Sequence, residues 1–326
     1  MKRLRIPLAV TAALVLAACS GTGKDTGTTG DTSASAGLGY TYAVITHSSA
    51  GDAFWDRVKS GAERAGADYG VTVTYASDPD PAKQSLLIDN AVAQKVDGIV
   101  VSMANPDGLK ASLAKAKNAG IPFVTINSGL EQSQEFGAIT HIGQSETIAG
   151  QSVGLKLADA GWKNALCIIH EAGNVGLEQR CAAVADKLGA TGGKVQNVQV
   201  NANDDAQVKA TIKARLQGDP TIDGVLTLGA QYGLDAVGAV EESGSAAHVA
   251  TFDLTADVVS AISAGQIVFA VDQQPYLQGY LGVTTLYLKD INGNDVGGGQ
   301  AVYSGPAYVT ADNADQVLEY AKAGTR

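Results

Sequence analysis

The chain has 326 residues, enough for two domains of ordinary size, and its formal net charge is −10. Binding to nucleic acid needs a positive surface, so this charge excludes nucleic acid as an expected partner. Aromatic residues make up only 6% of the chain, so an aromatic side chain in a predicted loop needs a specific reason.

The first residues have the pattern of an export signal. Three basic residues precede an apolar run, Ile6 to Leu16, which is too short to span a bilayer and ends in Ala17-Ala18-Cys19. This ending resembles the lipobox of bacterial lipoproteins; the alternative is an ordinary signal peptide with a chance cysteine. The resemblance implies a signal peptide over residues 1–18 and a mature chain lipid-anchored through Cys19. Residues 19–39, rich in Gly, Thr and Ser, are predicted to form the anchor and a flexible linker.

Apolar runs alternate with Ala-rich amphipathic stretches through the rest of the chain, which predicts alternating strands and helices. The first predicted helix, from about Ala53 to Tyr69, follows a strand over 42–46. A second helix, over 81–95, is expected to bury the stripe Leu86, Leu87, Ala91 and Val92. Further strands are predicted near 71–75, 96–101, 124–127, 138–143, 165–169, 195–200, 222–227, 249–253 and 268–271, and further helices near 175–188, 206–217 and 256–264.

One strand-helix-strand unit occurs twice. Thirty residue steps separate Asp97 from Asn127 in the first copy, and the same number separates Asp223 from Asp253 in the second. Parallel strands of such units end along one edge of the sheet, where open α/β folds bind ligands. The duplication therefore predicts two lobes, with Asn127 and Asp253 on opposite walls of a cleft.

Three further features lie near this expected cleft. Phe54 and Trp55 follow the first strand, where they either stack on a sugar ring or cap the core. Asp52 either accepts hydrogen bonds from ligand hydroxyls or caps the helix N-terminus. A polar interruption with a proline after the strand near 268–271 indicates a crossover between the lobes, with Gln273 at the hinge.

Cys167 and Cys181 remain once Cys19 is assigned to the anchor. They lie in a predicted strand and in the helix that follows it, in an oxidising compartment. They form either a disulfide or two buried thiols.

Sequence signs of catalysis are absent. No Walker A loop, dinucleotide-binding glycine motif or nucleophile elbow is present, and the four histidines lack zinc-ligand spacing. The run that begins at Asp290 imitates a calcium loop, but Ala301 stands where the bidentate Glu belongs. The sequence thus favours a binding protein over an enzyme, with no cofactor and no metal.

Several short motifs together resemble the type I periplasmic sugar-binding proteins of bacterial ABC importers, in the ribose-binding branch. The resemblance covers roughly Tyr40 to Val309. The motifs are Phe54-Trp55, Ile121-Pro122-Phe123-Val124-Thr125-Ile126-Asn127, Thr140-His141-Ile142-Gly143, Thr251-Phe252-Asp253 and Val271-Asp272-Gln273-Gln274-Pro275.

The resemblance implies an α/β fold of two similar lobes, each a parallel sheet flanked by helices, joined by a three-segment hinge. The N-terminal lobe would comprise residues 40–143 and 274–303. The C-terminal lobe would comprise residues 144–273 and 304–326.

The resemblance also implies a set of ligand-binding residues. Ser128 and Glu178 stand where ribose binders have arginines, and Arg180, two residues on, either substitutes for the missing cation or is structural. This departure leaves room for a polyol, another pentose or hexose, or an amino sugar drawn to Glu178. The implied ligand-binding residues are Asp52, Phe54, Trp55, Asn127, Ser128, Asn174, Glu178, Tyr232 (or Gln231), Asp253 and Gln273.

The function implied is that of a monomeric, extracytoplasmic lipoprotein. It would capture a monosaccharide or polyol between closing lobes and deliver it to an ABC import permease, touching the membrane only through its lipid anchor. The alternative is a sugar or autoinducer receptor that presents its closed form to a membrane signalling protein.

Overall fold

A computed structural model describes residues 39–49, 51–202 and 204–326. The signal peptide, Cys19 and the linker up to residue 38 lie outside the described residues. The predictions for them therefore stay predictions.

The first sheet has six parallel strands in the order β2-β1-β3-β4-β5-β11. Tyr42 pairs with Val73 on one side and with Gly98 on the other, which sets the register of β1 between its two neighbours. The strands are β1 (Thr41–Thr46), β2 (Thr72–Ser77), β3 (Gly98–Ser102), β4 (Phe123–Asn127), β5 (His141–Gly143) and β11 (Val302–Tyr303).

The second sheet repeats this order as β7-β6-β8-β9-β10-β12, and only its last pairing, of β10 with β12, is antiparallel. β8 and β9 occupy the places that β3 and β4 have in the first sheet, as the sequence duplication predicts. The strands are β6 (Asn164–Ile169), β7 (Lys194–Gln199), β8 (Gly224–Thr227), β9 (His248–Phe252), β10 (Ala270–Asp272) and β12 (Ala307–Val309).

Helices flank both sheets. Those of the first half are α1 (Ala53–Tyr69), α2 (Pro81–Gln94), α3 (Pro106–Asn118), α4 (Leu130–Phe136) and α5 (Glu146–Asp159). Those of the second half are α6 (Val175–Ala190), α7 (Asp205–Gly218), α8 (Ala230–Ser243), α9 (Ala256–Ser263), α10 (Pro275–Asn292) and α11 (Ala314–Lys322). Two apolar clusters form the core of each lobe, one on either face of its sheet.

The buried face of α2 agrees with the predicted stripe at Ala91, and Leu87 and Val92 are partly buried against the core, but Leu86 is not on it. Ile88 and Ala91 are buried there, together with Gln84, whose amide donates to the Ser102 carbonyl oxygen at 2.8 Å. Leu86 is 60% exposed. Leu86 is therefore the member of the predicted stripe that is wrong. Gln84 was not predicted on this face because a buried glutamine with a backbone partner has no hydrophobic signature.

The chain passes between the sheets three times: between β5 and α5, between β10 and α10, and between β11 and β12. After the second passage α10 returns to pack on α1 of the first lobe, where two glycines allow the backbones to touch. A Cβ atom on Gly61 would lie 2.0 Å from the Tyr276 carbonyl oxygen, and one on Gly279 would lie 1.9 Å from that of Val58. Neither glycine tolerates a side chain without moving this helix.

Cys167 on β6 and Cys181 on α6 are joined by a disulfide, and both are fully buried. The bond ties β6, which lies between β7 and β8 in the second sheet, to the helix that follows it. It closes a loop with a sequence separation of 14 residues.

We expect the double variant Cys167→Ala/Cys181→Ala to lose about 3 kcal/mol of unfolding free energy, because a crosslink over about 15 residues restricts the unfolded chain by roughly that amount. Urea denaturation of the variant and of the wild-type protein measures the difference. Wild-type protein treated with a reductant is the control and should shift in the same direction. An intact mass without a two-hydrogen deficit under non-reducing conditions would exclude the bond.

Candidate functional site

A cavity of about 460 Å³ lies where the carboxyl edges of the two sheets face each other. Loops after β1 and β4 line it from the first lobe, and loops after β6, β8 and β9 line it from the second. Of the predicted ligand-binding residues, the cavity brings together Asp52, Phe54, Trp55, Asn127, Tyr232, Asp253 and Gln273. Gln231, the alternative to Tyr232, also lines it.

Asp52 forms the predicted N-cap and also faces the cavity. Its carboxylate accepts a hydrogen bond from the backbone N–H of Phe54 at 2.9 Å, so it caps α1, and it also lines the cavity. Burial raises the pKa of Asp52 to about 6. The hydrogen bond from the Phe54 N–H lowers this pKa but does not cancel the effect of burial.

The two aromatic residues at the start of α1 have different surroundings. Trp55 is 4% exposed and belongs to the apolar core, where the ring of His47 meets it edge-on at 4.6 Å. Phe54 is only partly buried and packs edge-on against Trp55 at 5.0 Å. Phe54 is therefore the ring that is more available to the cavity, and Trp55 supports it from behind.

Asn127 and Asp253 occupy equivalent positions at the ends of β4 and β9, and both have left-handed backbones. Their φ angles are 63° and 68°. Asn and Asp are the non-glycine residues that adopt this conformation most readily, and such outliers cluster at ligand sites. In both lobes, therefore, the chain turns at the end of an equivalent strand, and the residue at the turn has a polar side chain on the cavity wall.

Gln273, at the second passage between the lobes, connects these two residues. Its side-chain oxygen accepts from the Asn127 amide at 3.4 Å, and its amide donates to the Asp253 carboxylate at 2.7 Å. Its exposed fraction is 1%. Gln273 thus joins both walls at the floor of the cavity, in agreement with its predicted place at the hinge.

Arg180 on α6 lines the cavity beside Gln273 and is 1% exposed. Glu146 accepts hydrogen bonds from its Nε and Nη2 atoms, and Nη2 also donates to Gln273 Oε1 at 3.0 Å. Nη1 is buried without a partner. The guanidinium carbon lies 4.8 Å from the ring centre of Phe252. Arg180 therefore offers one nitrogen to a ligand.

Burial opposes ionisation at both acidic and basic groups here, with different outcomes. Burial raises the pKa of Asp253 to about 7, although nearby Arg180 and the Gln273 amide both lower it. Burial also works against the charge of Arg180, but its pairing with Glu146 raises the Arg180 pKa overall. Arg180 is a fixed cation, whereas Asp253 titrates near neutral pH.

Three predicted ligand-binding residues do not line the cavity. Ser128 and Asn174 are buried beside it, and the Ser128 hydroxyl donates to the Asn174 side-chain oxygen at 3.2 Å. Asn174 also caps α6 by accepting from the backbone N–H of Gly176.

The prediction for Glu178 is wrong, because its side chain is exposed on the outer face of α6. The buried face of that helix includes Leu177, Arg180, Cys181 and Val184, at spacings of three, four and seven from Leu177. This periodicity is readable in the sequence and assigns the inward position to Arg180. Of the two options left open for Arg180, its place in the cavity favours substitution for the missing cation.

The lobes also contact each other directly along one side of the cleft. The backbone N–H of Val175 donates to the Ala104 carbonyl oxygen at 3.0 Å, and Gln179 donates to Glu131 at 3.2 Å. With the Ser128–Asn174 bond, these contacts form what we call the seam.

His47 and Glu171 meet across the cleft near the seam. His47 Nε2 lies 3.5 Å from Glu171 Oε2, and the Asn174 amide donates to that oxygen at 2.6 Å. Burial lowers the pKa of His47, so the imidazole is neutral near pH 7. Burial opposes the charge of Glu171, but the groups around it, which include the Asn174 amide and Arg180, lower the pKa of Glu171 overall.

Sequence reasoning missed several lining residues. His47, His170, Glu171 and Asp205 all face the cavity, and the ring of His170 stacks on Tyr232 at 4.4 Å. His47 and His170 each come directly after the first strand of a lobe, with Glu171 next to His170, and the duplicated strand order could have revealed this equivalence. Asp205 begins α7, and nothing in its local sequence marks it.

Within the described residues, no group of three or more His, Cys, Asp or Glu side chains is arranged to hold a metal ion. The helices in this part of the chain also include none long and apolar enough to cross a membrane.

Comparison with known proteins identifies the architecture. A family model described as a periplasmic binding protein domain matches residues 42–294. The chain belongs to the periplasmic binding protein family. This confirms the predicted α/β fold class and the resemblance to type I periplasmic sugar-binding proteins, and it implies a location outside the cytoplasm.

Individual members of the periplasmic binding protein family are similar over most of the chain. The crystal structure of a carbohydrate transporter from Acidothermus cellulolyticus, in complex with myo-inositol, has a TM-score of 0.86 and 43% identity, over 88% of this chain and 100% of that one. A xylitol-binding protein of Mycolicibacterium smegmatis is 26% identical over 76% of this chain and 71% of its own length. The ribose import binding protein RbsB of Bacillus subtilis is 25% identical over 70% of this chain and 74% of its own length.

We expect the imidazoles of His141 and His170 to stay neutral from pH 8 to about pH 5, since burial lowers the pKa of each to about 4. The unfolded chain would then bind protons that the folded chain does not between pH 6.5 and 4. The free energy of unfolding should therefore fall as the pH falls through that window. NMR titration of the imidazole resonances, assigned with His141→Gln and His170→Gln, measures this. A titration midpoint above pH 6 for either ring would contradict it.

Proposed function

We propose that the protein is a solute-binding lipoprotein that captures an uncharged monosaccharide or cyclic polyol between its lobes for an ABC import permease. The observation that carries the proposal is the set of polar groups converging on one cavity. The unpartnered Nη1 of Arg180 is a donor, the Asp253 carboxylate is an acceptor, and the amide of Asn127 lies on the opposite wall. Alternating donors and acceptors match a ring of hydroxyl groups, each of which can donate and accept.

Three features favour a polyhydroxylated ring over other small molecules. Phe54 supplies an aromatic face beside the polar groups, suited to the C–H face of a ring. The cavity of about 460 Å³ falls within the usual range for small-molecule sites. One relative has a structure in complex with myo-inositol, and two others are named for xylitol and ribose. Uncharged polyols and sugars are therefore the first ligands to test.

We propose that the lobes move as two units, residues 40–143 with 274–303 and residues 144–273 with 304–326. The three passages between the sheets are the hinge. A ligand that touches Asn127 on one wall and Asp253 on the other interacts fully only when the walls are close. Ligand binding therefore shifts the population towards the closed arrangement.

The closed form would then dock on a membrane permease, and a separate subunit would hydrolyse ATP. The protein itself acts as a monomer and catalyses no reaction. The lipid anchor at Cys19 would keep it at the outer face of the membrane. Import is favoured over a signalling receptor because a relative of this chain is named an import binding protein.

A thermal-shift screen over pentoses, hexoses, linear polyols and inositols tests the proposal, because a ligand that binds only the folded state raises the melting temperature. For the best ligand, Asp253→Ala should cost about 2 to 3 kcal/mol, since ligand hydroxyls lose a charged acceptor. Isothermal titration calorimetry measures the affinities.

Asp257→Ala is the matched control for Asp253→Ala, because Asp257 is an exposed aspartate in the first turn of α9, in the same lobe. Its affinity should equal that of the wild-type protein. An unchanged affinity in Asp253→Ala would remove Asp253 from the site. Failure of every neutral sugar and polyol in the screen would refute the proposed ligand class.

We also expect the affinity for a neutral polyol to rise with pH between about 5 and 8. Burial holds the pKa of Asp253 at about 7 in the free protein. Ligand hydroxyls that donate to the carboxylate favour its ionised form, so binding lowers this pKa and releases protons. Each unit of lowering corresponds to about 1.4 kcal/mol, or about tenfold in affinity at high pH. Calorimetry in buffers of different ionisation enthalpy measures the release, and Asp253→Asn should abolish most of it. Proton uptake near pH 7 would contradict the expectation.

A further inference from the structure

The charges of the cavity are strongly unbalanced. Asp52, Glu171, Asp205 and Asp253 line it, and among its described lining residues Arg180 is the one Lys or Arg side chain. Any negatively charged ligand would therefore depend on Arg180 for attraction. The partner that controls the charge of Arg180 then controls which ligands the cavity accepts.

That partner is Glu146, which does not itself line the cavity. It lies in the first turn of α5, immediately after the first passage between the lobes, and is 2% exposed. Its two carboxylate oxygens accept from Nε and Nη2 of Arg180, a bidentate arrangement. The Gln144 amide donates to Glu146 Oε2 at 3.0 Å and holds the carboxylate from the other side.

This pairing has two consequences for a ligand. Nε and Nη2 are occupied, so Nη1 is the nitrogen left for a ligand oxygen. The charge of the guanidinium is also offset at contact distance by a buried carboxylate, where screening by water is weak. A hydroxyl group can accept from Nη1 at no electrostatic cost. A phosphate or carboxylate would instead meet the nearby acidic residues without a net positive charge to balance them.

We propose that Glu146 is a positioning residue that makes the cavity selective for uncharged ligands, by neutralising Arg180 and presenting only Nη1. The inference rests on the proposed function, since it names the ligand class of the same cavity. It concerns a residue behind the cavity wall and predicts a change in selectivity, which general damage to the fold would not produce.

The test compares two ligand pairs, myo-inositol with myo-inositol 1-phosphate and D-glucose with D-glucuronate, by calorimetry on the wild-type protein and on Glu146→Gln. The wild-type protein should bind a neutral member and reject its anionic partner. Glu146→Gln leaves the guanidinium charge uncompensated, so the ratio of neutral to anionic affinity should fall by about tenfold or more. Added salt should weaken anion binding to the variant.

Glu178→Gln is the matched control, because it removes an exposed carboxylate from α6, the helix that carries Arg180. Its ligand selectivity should equal that of the wild-type protein. The double variant Glu146→Gln/Arg180→Gln covers the case in which the single variant does not fold. Removing both charges leaves the net charge near the cavity as it is in the wild-type protein, so the double variant should still reject the anion. It should bind the neutral ligand more weakly, because the Nη1 donor is gone.

Two results would overturn the inference alone: a Glu146→Gln variant that binds a neutral ligand with wild-type selectivity, or a double variant that accepts the anion. A wild-type protein that prefers the anionic members would also overturn it. Failure of the wild-type protein to bind any neutral sugar or polyol, in this test and in the screen, would instead refute the proposed function on which it depends.

Discussion

A fully buried guanidinium is the constraint around which the cleft is built. Burying a charge is costly unless it is paired and hydrogen-bonded, and Arg180 meets this requirement with Glu146 and Gln273. These partners come from the first and second passages between the lobes. The same group thus joins α6 to two of the segments that pass between the sheets, and it lines the cavity. A ligand oxygen on Nη1 would touch this network directly, which gives binding a physical route to the proposed hinge.

The second constraint comes from the duplication. Each lobe ends an equivalent strand in a left-handed residue, Asn127 or Asp253, and Gln273 bridges the two side chains. A left-handed non-glycine residue costs free energy that the surrounding fold must offset. That the same cost occurs at both copies of the unit is best explained by a shared role at the facing walls. The bridging glutamine satisfies both polar groups in the structure, and a ligand hydroxyl could replace it at either one.

Much of the fold was predictable because its signals are local. The bounds of α1 agree with the prediction at both ends, and the repeat placed Asn127 and Asp253 correctly on opposite walls of one cavity. The error at Glu178 came from aligning a motif without applying the helical period that buries Arg180. Glu146 was not foreseen, because its partner lies 34 positions away and only the packing of α5 on α6 brings them together. A single sequence carries no signal for that pairing.

The seam determines how much the ligand must contribute to closure. The bond between Gln179 and Glu131 is solvent-exposed and adds little free energy, whereas the bond between Ser128 and Asn174 is buried. If the seam were strong, the empty protein would already be closed and ligand binding could shift nothing. In the proposed movement, a weak seam would leave more of the difference between the open and closed states to the contacts inside the cavity. Closure would then depend on the ligand, and a partner that recognises only the closed surface would distinguish loaded from empty protein without touching the solute.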